Sequence, residues 1–462
     1  MTDETRTLAL DEPAVTRLAR FAADAEVPAA ARAAAARAFL DTAGVTLAGS
    51  TEPVARIVQA LAAEEGGHPC CQVLGTPDRT GAALAALANG AAAHALDYDD
   101  MCFVSLAHPS AALVPAALAA GELAGASGAA VLDAYVVGFE VECALGRVMN
   151  PRHYTQGWHC TSTLGALGAA AAAARLLGLD AEAAGRALAI AASGAAGLKE
   201  NFGTMTKPLH AGDAARSGVV AALLARGGLT ASARAIDGPQ GLFVAMAAER
   251  RDASRPLAEL GQRWEILETG ISVKLYPSCA GTHPTLDAVL DLRVRHGIAA
   301  GEVDRVDVVV DEVTPTILIH ERPATGLEGK FSLHFCVAAA LVFGKVGLDT
   351  FGAGPLQDPA VGRLMARVTM RPDPEIGRGR PALTQAQVSI RLADGREVTA
   401  RADGARGYPD RPASDEALAR KFEDCARRAL DAPAVARAFE ALQGIESADD
   451  IRELTTSMSR PA

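Results

Sequence analysis

Five short stretches of this sequence set histidine, lysine or aspartate among apolar helix formers, where a polar side chain costs free energy unless it is paired or used. The first is His94-Ala95-Leu96-Asp97-Tyr98-Asp99-Asp100, followed after a loop by His108-Pro109-Ser110. Three carboxylates within four residues repel one another if all are buried, so some must meet donors or water. A solvated helix end explains them equally well. The second, Gly157 to Thr163, carries His159 just ahead of an alanine-rich helix. Free N–H groups at such a helix start receive a carboxylate, unless Thr161 or Ser162 caps them. The third, Asn201 to His210, sets Lys207 and His210 three apart in what reads as a loop before an apolar helix. Lys207 either pairs with the Asp97 cluster or binds a substrate carboxylate. The fourth, Lys274 to His283, includes Tyr276 and Cys279, and the fifth, Gly329 to His334, includes Lys330 and Ser332 at a helix start. Together these residues suit a small polyanion, and the set requires no metal.

Other chemistries lack their residues. There is no GxxxxGK[ST] phosphate loop; Gly344-Lys345-Val346 fails at the last position. GxGxxG after a strand, HExxH and GxSxG are missing too. The eight cysteines form no CxxC pair and are dispersed, which argues against an iron–sulfur hydro-lyase and for free thiols in a reducing cytoplasm. The opening, Met1 to Glu12, is polar and acidic, unlike a signal peptide. No apolar run spans a membrane; the longest, Thr163 to Ala174, reads as a buried core helix. The net charge of -11 argues against nucleic-acid binding. Such a chain binds an anion only through a locally positive cleft. Of 44 basic residues only six are lysines: Lys199, Lys207, Lys274, Lys330, Lys345 and Lys421. A lysine that persists in so arginine-rich a chain is a candidate for work that arginine cannot do, since only lysine can shed its proton when buried.

The elements that position these residues are mainly helical. With 462 residues and half of them apolar, two domains are expected. Helical spacing runs from Pro13 to about Gly261, with segments at Val27–Leu47, Gly81–Ala95, Ala111–Ala124, Val131–Val148, Thr161–Leu177, Ala181–Gly194 and Ala214–Ala225. The texture then changes. Val303 to Val313 alternates as a half-buried strand, Ala366 to Arg371 reads as another, and Gln387 to Ala402 reads as two strands joined by a two-residue turn at Asp394-Gly395. Helices at Gly281–His296 and Phe331–Gly344 accompany them, and helical spacing resumes from Ser414. The predicted architecture is mainly α. Both chain ends (1–267 and 406–462) build a large helical domain, and residues 268–405 form a smaller inserted α+β domain. Ligand sites favour such domain clefts.

Read in order, HALDYDD…HPS (94–110), GWHCTSTLGALGAA (157–170), TMTKPLHAGDAAR (204–216), KLYPSCAGTH (274–283) and GKFSLHFCVAAAL (329–341) resemble the MmgE/PrpD family from end to end. The resemblance implies a helical domain with a smaller α+β lid, a homodimer and no cofactor. It also implies chemistry on a small di- or tricarboxylic acid: dehydration of 2-methylcitrate, decarboxylation of cis-aconitate or epimerisation of iminodisuccinate. Carried over by motif, Asp97, His108, His159 and Lys207 fall on active-site positions, with Lys274 and Cys279 near a further one in the lid. Three departures disfavour the decarboxylase pattern. Met101 stands where that pattern has threonine, only sulfur is offered near Cys279 where it has histidine, and the Asp97–His108 loop is one residue longer. The expectation is therefore a hydro-lyase like 2-methylcitrate dehydratase, with an epimerase as the alternative and a decarboxylase third. A non-catalytic helical binding protein is the rival class.

All three reactions implied by the resemblance move a proton at a carbon next to a carboxylate. That needs a base with a pKa near neutrality and positive groups around the developing charge. His159 is the first choice for general base or acid, and Lys207 the second. Asp97 orients or charge-balances one of them. His108 protonates a leaving hydroxyl or returns a proton on the opposite face. Tyr154, Lys274, Tyr276, Cys279 and Lys330 are assigned to substrate binding.

Overall fold

The computed structural model describes residues 11–247, 253–377 and 384–460. Most of the polar opening segment therefore lies outside the described residues. Alanine dominates the helices and lets their axes approach closely. The helices that matter for the site are α1 (Ala14–Asp24), α2 (Ala29–Gly49), α3 (Ala82–His94), α4 (Pro109–Ala124), α5 (Gly128–Met149), α6 (Cys160–Leu176), α7 (Ala181–Gly194) and α8 (Thr206–Arg226). Helix α6 is buried from Cys160 to Ala174, all but its last two residues. It is flanked by α4, α5, α7 and α8. Among the described residues no helix is long and apolar enough to cross a membrane.

One crossing decides where the site forms. Helices α3 and α8 touch through Gly90 and Gly212, and a Cβ on Gly212 would lie 2.3 Å from the backbone oxygen of Leu87. Nothing larger than hydrogen fits there, because the obstacle is backbone and cannot rotate away. The close crossing draws His94, at the end of α3, toward Lys207 and His210, in the first turns of α8. Gly212→Ala is expected to force the helices apart, at a cost of about 1–3 kcal/mol for overpacking, with a matching loss of turnover. Denaturant unfolding and an activity assay check this. An unchanged midpoint would mean that the crossing tolerates a methyl group.

Two large apolar cores are present among the described residues, with smaller clusters beside them. The larger joins residues between Ala14 and Ile266 to residues between Phe422 and Met458, and the smaller uses residues between Tyr276 and Ala402. The return of the chain to the first core is made by α11 (Asp415–Ala426) and α12 (Ala432–Gln443), with Phe422 packed against Gly44 of α2. Lys421 forms an ion pair with the buried Asp41 of α2 at 2.6 Å.

The smaller core lies under a four-stranded sheet of β1 (Val303–Val310), β2 (Val368–Pro372), β3 (Ala386–Leu392) and β4 (Glu397–Ala402), ordered β2-β1-β3-β4. Only the β1–β2 pair is parallel. Val306, Val308, Val310, Val388, Ile390 and Leu392 turn inward, beneath α9 (His283–His296) and α10 (Leu333–Phe343). The β3–β4 connection is longer than the two-residue turn expected. Gly395 N–H donates to Leu392 O, Leu392 N–H donates to Arg396 O, and Gly395 sits at φ +91°. A left-handed glycine closing a three-residue loop is the usual alternative to a two-residue hairpin.

Candidate active site

The three carboxylates expected to repel one another are all buried, and each has its own solution. Asp97 Oδ1 accepts from Lys207 Nζ at 2.8 Å and from Lys274 Nζ at 3.0 Å. Lys274 also donates to the Asp97 backbone oxygen at 3.0 Å. Asp99 Oδ2 lies 2.8 Å from His94 Nδ1 and 3.2 Å from His108 Nδ1. Asp100 accepts from the Ser110 N–H at 3.2 Å and from the Ser110 hydroxyl, which also meets Tyr135 Oη at 2.6 Å. Burial pushes the Asp100 carboxyl up to about 8, so it carries little charge beside its neighbours. Burial opposes ionisation of Asp97 as well, but the charges of Lys207 and Lys274 hold it well below the usual carboxylate range. Burial opposes ionisation of Asp99 too, but its contacts with His94 and His108 hold it well below that range. Asp97 itself sits at φ +51°, a left-handed conformation uncommon for a non-glycine residue.

The imidazoles form a second layer. His94 packs edge-on against His108 at 4.6 Å and stacks on His159 at 5.8 Å between ring centroids. His159 Nδ1 is 3.0 Å from His210 Nδ1. Phe202 meets the His159 ring edge-on at 5.0 Å, and Lys207 Nζ lies 5.3 Å from the Phe202 centroid and 5.1 Å from that of Phe331. Asp97, His108, His159 and Lys207 therefore share one buried cluster. Burial, and then the nearby ammonium groups, push His108 down to about 3 and His159 well below 6.5. Both rings are neutral at pH 7, the form that can accept a proton.

The local reasons differ from some expectations. Lys207 and His210 lie on the first turns of α8, not in a preceding loop, because Pro208 near a helix start is tolerated. Neither Thr161 nor Ser162 caps α6. Its N-cap is His159, the Thr161 hydroxyl accepts from His108 N–H at 3.0 Å, and Ser162 Oγ donates to His210 O at 3.3 Å. Ser332 does cap α10, accepting from Phe335 N–H at 3.1 Å. Lys207 takes the ion-pair option with Asp97.

The substrate-binding set is scattered in its commitments. Lys274 joins the Asp97 cluster directly. Lys330 Nζ donates to Leu96 O at 2.6 Å and Pro277 O at 2.8 Å, and burial pushes its pKa down to about 8. Cys279 is half-buried, with its N–H donating to Lys330 O at 3.0 Å. Tyr154 is half-buried under Lys199, whose Nζ lies 3.6 Å from the ring centroid. Tyr276 turns its hydroxyl away toward α9, donating to Asp287 at 2.6 Å and accepting from Arg406 at 2.7 Å.

Sequence reasoning left three site residues without a role: His94, Asp99 and His210. The signals were there, since His94 and Asp99 stand inside the first motif and His210 sits one helical turn after Lys207. His94, Asp97, Asp99 and His108 each offer a ligand atom, all within 4.8 Å of one another. That donor set suits a divalent metal, but two ammonium groups already balance Asp97 and would repel one. Three polar atoms in these residues are buried without a partner: His94 Nε2, Asp97 Oδ2 and Asp99 Oδ1.

Known proteins resemble this chain along most of its length. The human cis-aconitate decarboxylase is 30% identical over 92% of this chain and 90% of its own length. The mouse cis-aconitate decarboxylase is 29% identical over 92% and 88%. That of Aspergillus terreus is 27% identical over 85% and 84%. Residues 16–254 match the MmgE/PrpD N-terminal domain, and residues 276–445 match the MmgE/PrpD C-terminal domain. This chain belongs to the MmgE/PrpD family.

Proposed function

We propose that the protein is a lyase that acts on a small di- or tricarboxylic acid by moving a proton at a carbon next to a carboxylate, using its own side chains. The observation that carries this reading is the pairing of Asp97 with Lys207 and Lys274 beside the neutral rings of His108 and His159. A carbanion beside a carboxylate is poor unless positive groups meet its developing charge. Lys207 and Lys274 supply that charge inside a protein whose net charge is negative. His159 takes the proton from the substrate carbon. Asp97 keeps the two ammonium groups in place. His108, held by Asp99, is the second proton carrier.

Within this class, loss of water is the first reading. His108 takes up a proton from solvent and gives it to the leaving hydroxyl, which departs as water, while His159 holds the proton from carbon and afterwards returns it to solvent. Loss of carbon dioxide is the second, favoured by the names of the relatives. There the carboxylate leaves, and a ring delivers a proton to the carbon it vacates. The departures at Met101 and Cys279 weigh against that second reading. Epimerisation needs the same two carriers on opposite faces of one carbon. Incubation in deuterated buffer with citrate-, aconitate- and succinate-like acids separates the three. Dehydration gives an alkene lighter by one water, decarboxylation a product lighter by one carbon dioxide, and epimerisation an isomer of opposite configuration that is heavier only by the deuterium it takes up. No turnover or deuterium exchange with any of these acids would sink the proposal and favour a binding protein.

A further inference from the structure

We propose that His210 is a positioning residue that fixes the tautomer of His159, leaving His159 Nε2 as the atom that exchanges a proton with substrate. This rests on the proposed role of His159. The two Nδ1 atoms face each other at 3.0 Å, a distance at which two lone pairs repel, so one of the two rings carries a hydrogen there. If His210 carried it, a neutral His159 would hold its own hydrogen on Nε2 and could accept nothing from substrate at that atom. If His159 carries it, Nε2 keeps a bare lone pair. On taking the substrate proton the ring becomes an imidazolium, with Nδ1–H still donating to His210 and Nε2–H facing the substrate. Returning that proton restores the starting ring. Only this arrangement serves both halves of a catalytic cycle, and no proton moves to His210.

The surroundings fit a ring held in one orientation. The backbone N–H of His159 donates to Gly197 O at 3.1 Å. Gly197 lies at φ +128°, and a Cβ there would be 2.7 Å from Ser162 Cβ and 3.6 Å from His210 Cγ. The Ser162 hydroxyl donates to His210 O, tying α6 to α8 at this point. Phe202 and His94 bracket the His159 ring. Burial pushes His210 down to about 4, so at pH 7 it is neutral and free to accept. Which nitrogen of a histidine is protonated is set by the bond that the other nitrogen makes.

Nitrogen-15 NMR of the full chain with labelled histidine tests this at pH 7. The expected result is a His159 ring protonated at Nδ1 and bare at Nε2. In His210→Phe the ring shifts toward the Nε2–H form, and kcat falls by about 10–100-fold, the scale for loss of a ring-orienting partner, with KM nearly unchanged. His210→Asn recovers much of that loss, because its amide oxygen can stand near the position of Nδ1. A wild-type His159 protonated at Nε2, or a folded His210→Phe with wild-type kcat, would overturn the inference. If His159→Ala abolishes turnover while His210→Phe does not, this inference alone fails. If His159→Ala turns over normally, the proposed function of the site fails with it.

Discussion

Replacing Asp97 with alanine is expected to cost about 3–5 kcal/mol of stability, the scale for stripping one partner from a buried ion pair, and roughly 100-fold or more in turnover. Its Oδ1 accepts from two ammonium groups at once, and both lysines are buried with it. With the carboxylate gone, Lys207 and Lys274 face each other's charge in a region from which water is excluded. The protein can then lose a proton from one lysine or move them apart, and either response disassembles the site. Asp97→Asn separates the two effects, because it keeps the shape and one acceptor while removing the charge. Denaturant midpoints and steady-state rates measured on both variants decide the matter. A wild-type midpoint and rate in Asp97→Ala would show that the pair carries neither stability nor function.

His159→Ala is expected to lower turnover by roughly 100-fold or more, the usual scale for an acid–base group, while the chain stays folded. The ring is buried, yet its partners are one histidine and aromatic faces, so its removal leaves no orphaned charge. Lys207→Ala should lose activity on the same scale, but with a stability loss that His159→Ala lacks. The pH profile adds a sign. Burial, with Lys207, His94 and His210, holds His159 well below its ordinary 6.5. The proton-accepting form therefore persists as pH falls through 6.5 and is lost only at lower pH. The acid limb of kcat/KM is expected below pH 6.5. A limb centred at 6.5 or above would show that a differently placed group controls the rate.

The helical half of the fold was legible because alanine-rich periodicity reports helix directly, and the change of texture after Trp264 reported the sheet. The hairpin loop was misjudged by one residue, since Asp-Gly fits a left-handed position in more than one loop length. In the site, the motifs showed which residue types gather but not who pairs with whom. Asp97, Asp99 and Asp100 are nearly indistinguishable in sequence. Only the fold sends lysines to the first, histidines to the second and a serine to the third. Tyr276 shows the same limit: its motif neighbour Lys274 joins the Asp97 cluster, whereas its own hydroxyl is engaged by Asp287 and Arg406, more than a hundred residues apart. The scarcity of lysine proved informative. Four of the six converge on Leu96, Asp97 and Tyr98: Lys207 and Lys274 on the Asp97 carboxylate, Lys330 on Leu96 O, and Lys421 on Tyr98 O at 2.8 Å.

That grip has a bearing on how the molecule is born. A ribosome delivers Tyr98 323 residues ahead of Lys421. During synthesis the strained Asp97 corner must wait, acidic and uncompensated, while its clasps emerge one by one from two different cores. Helices can condense and strands can pair before then, but the finished pocket needs the polypeptide through Lys421.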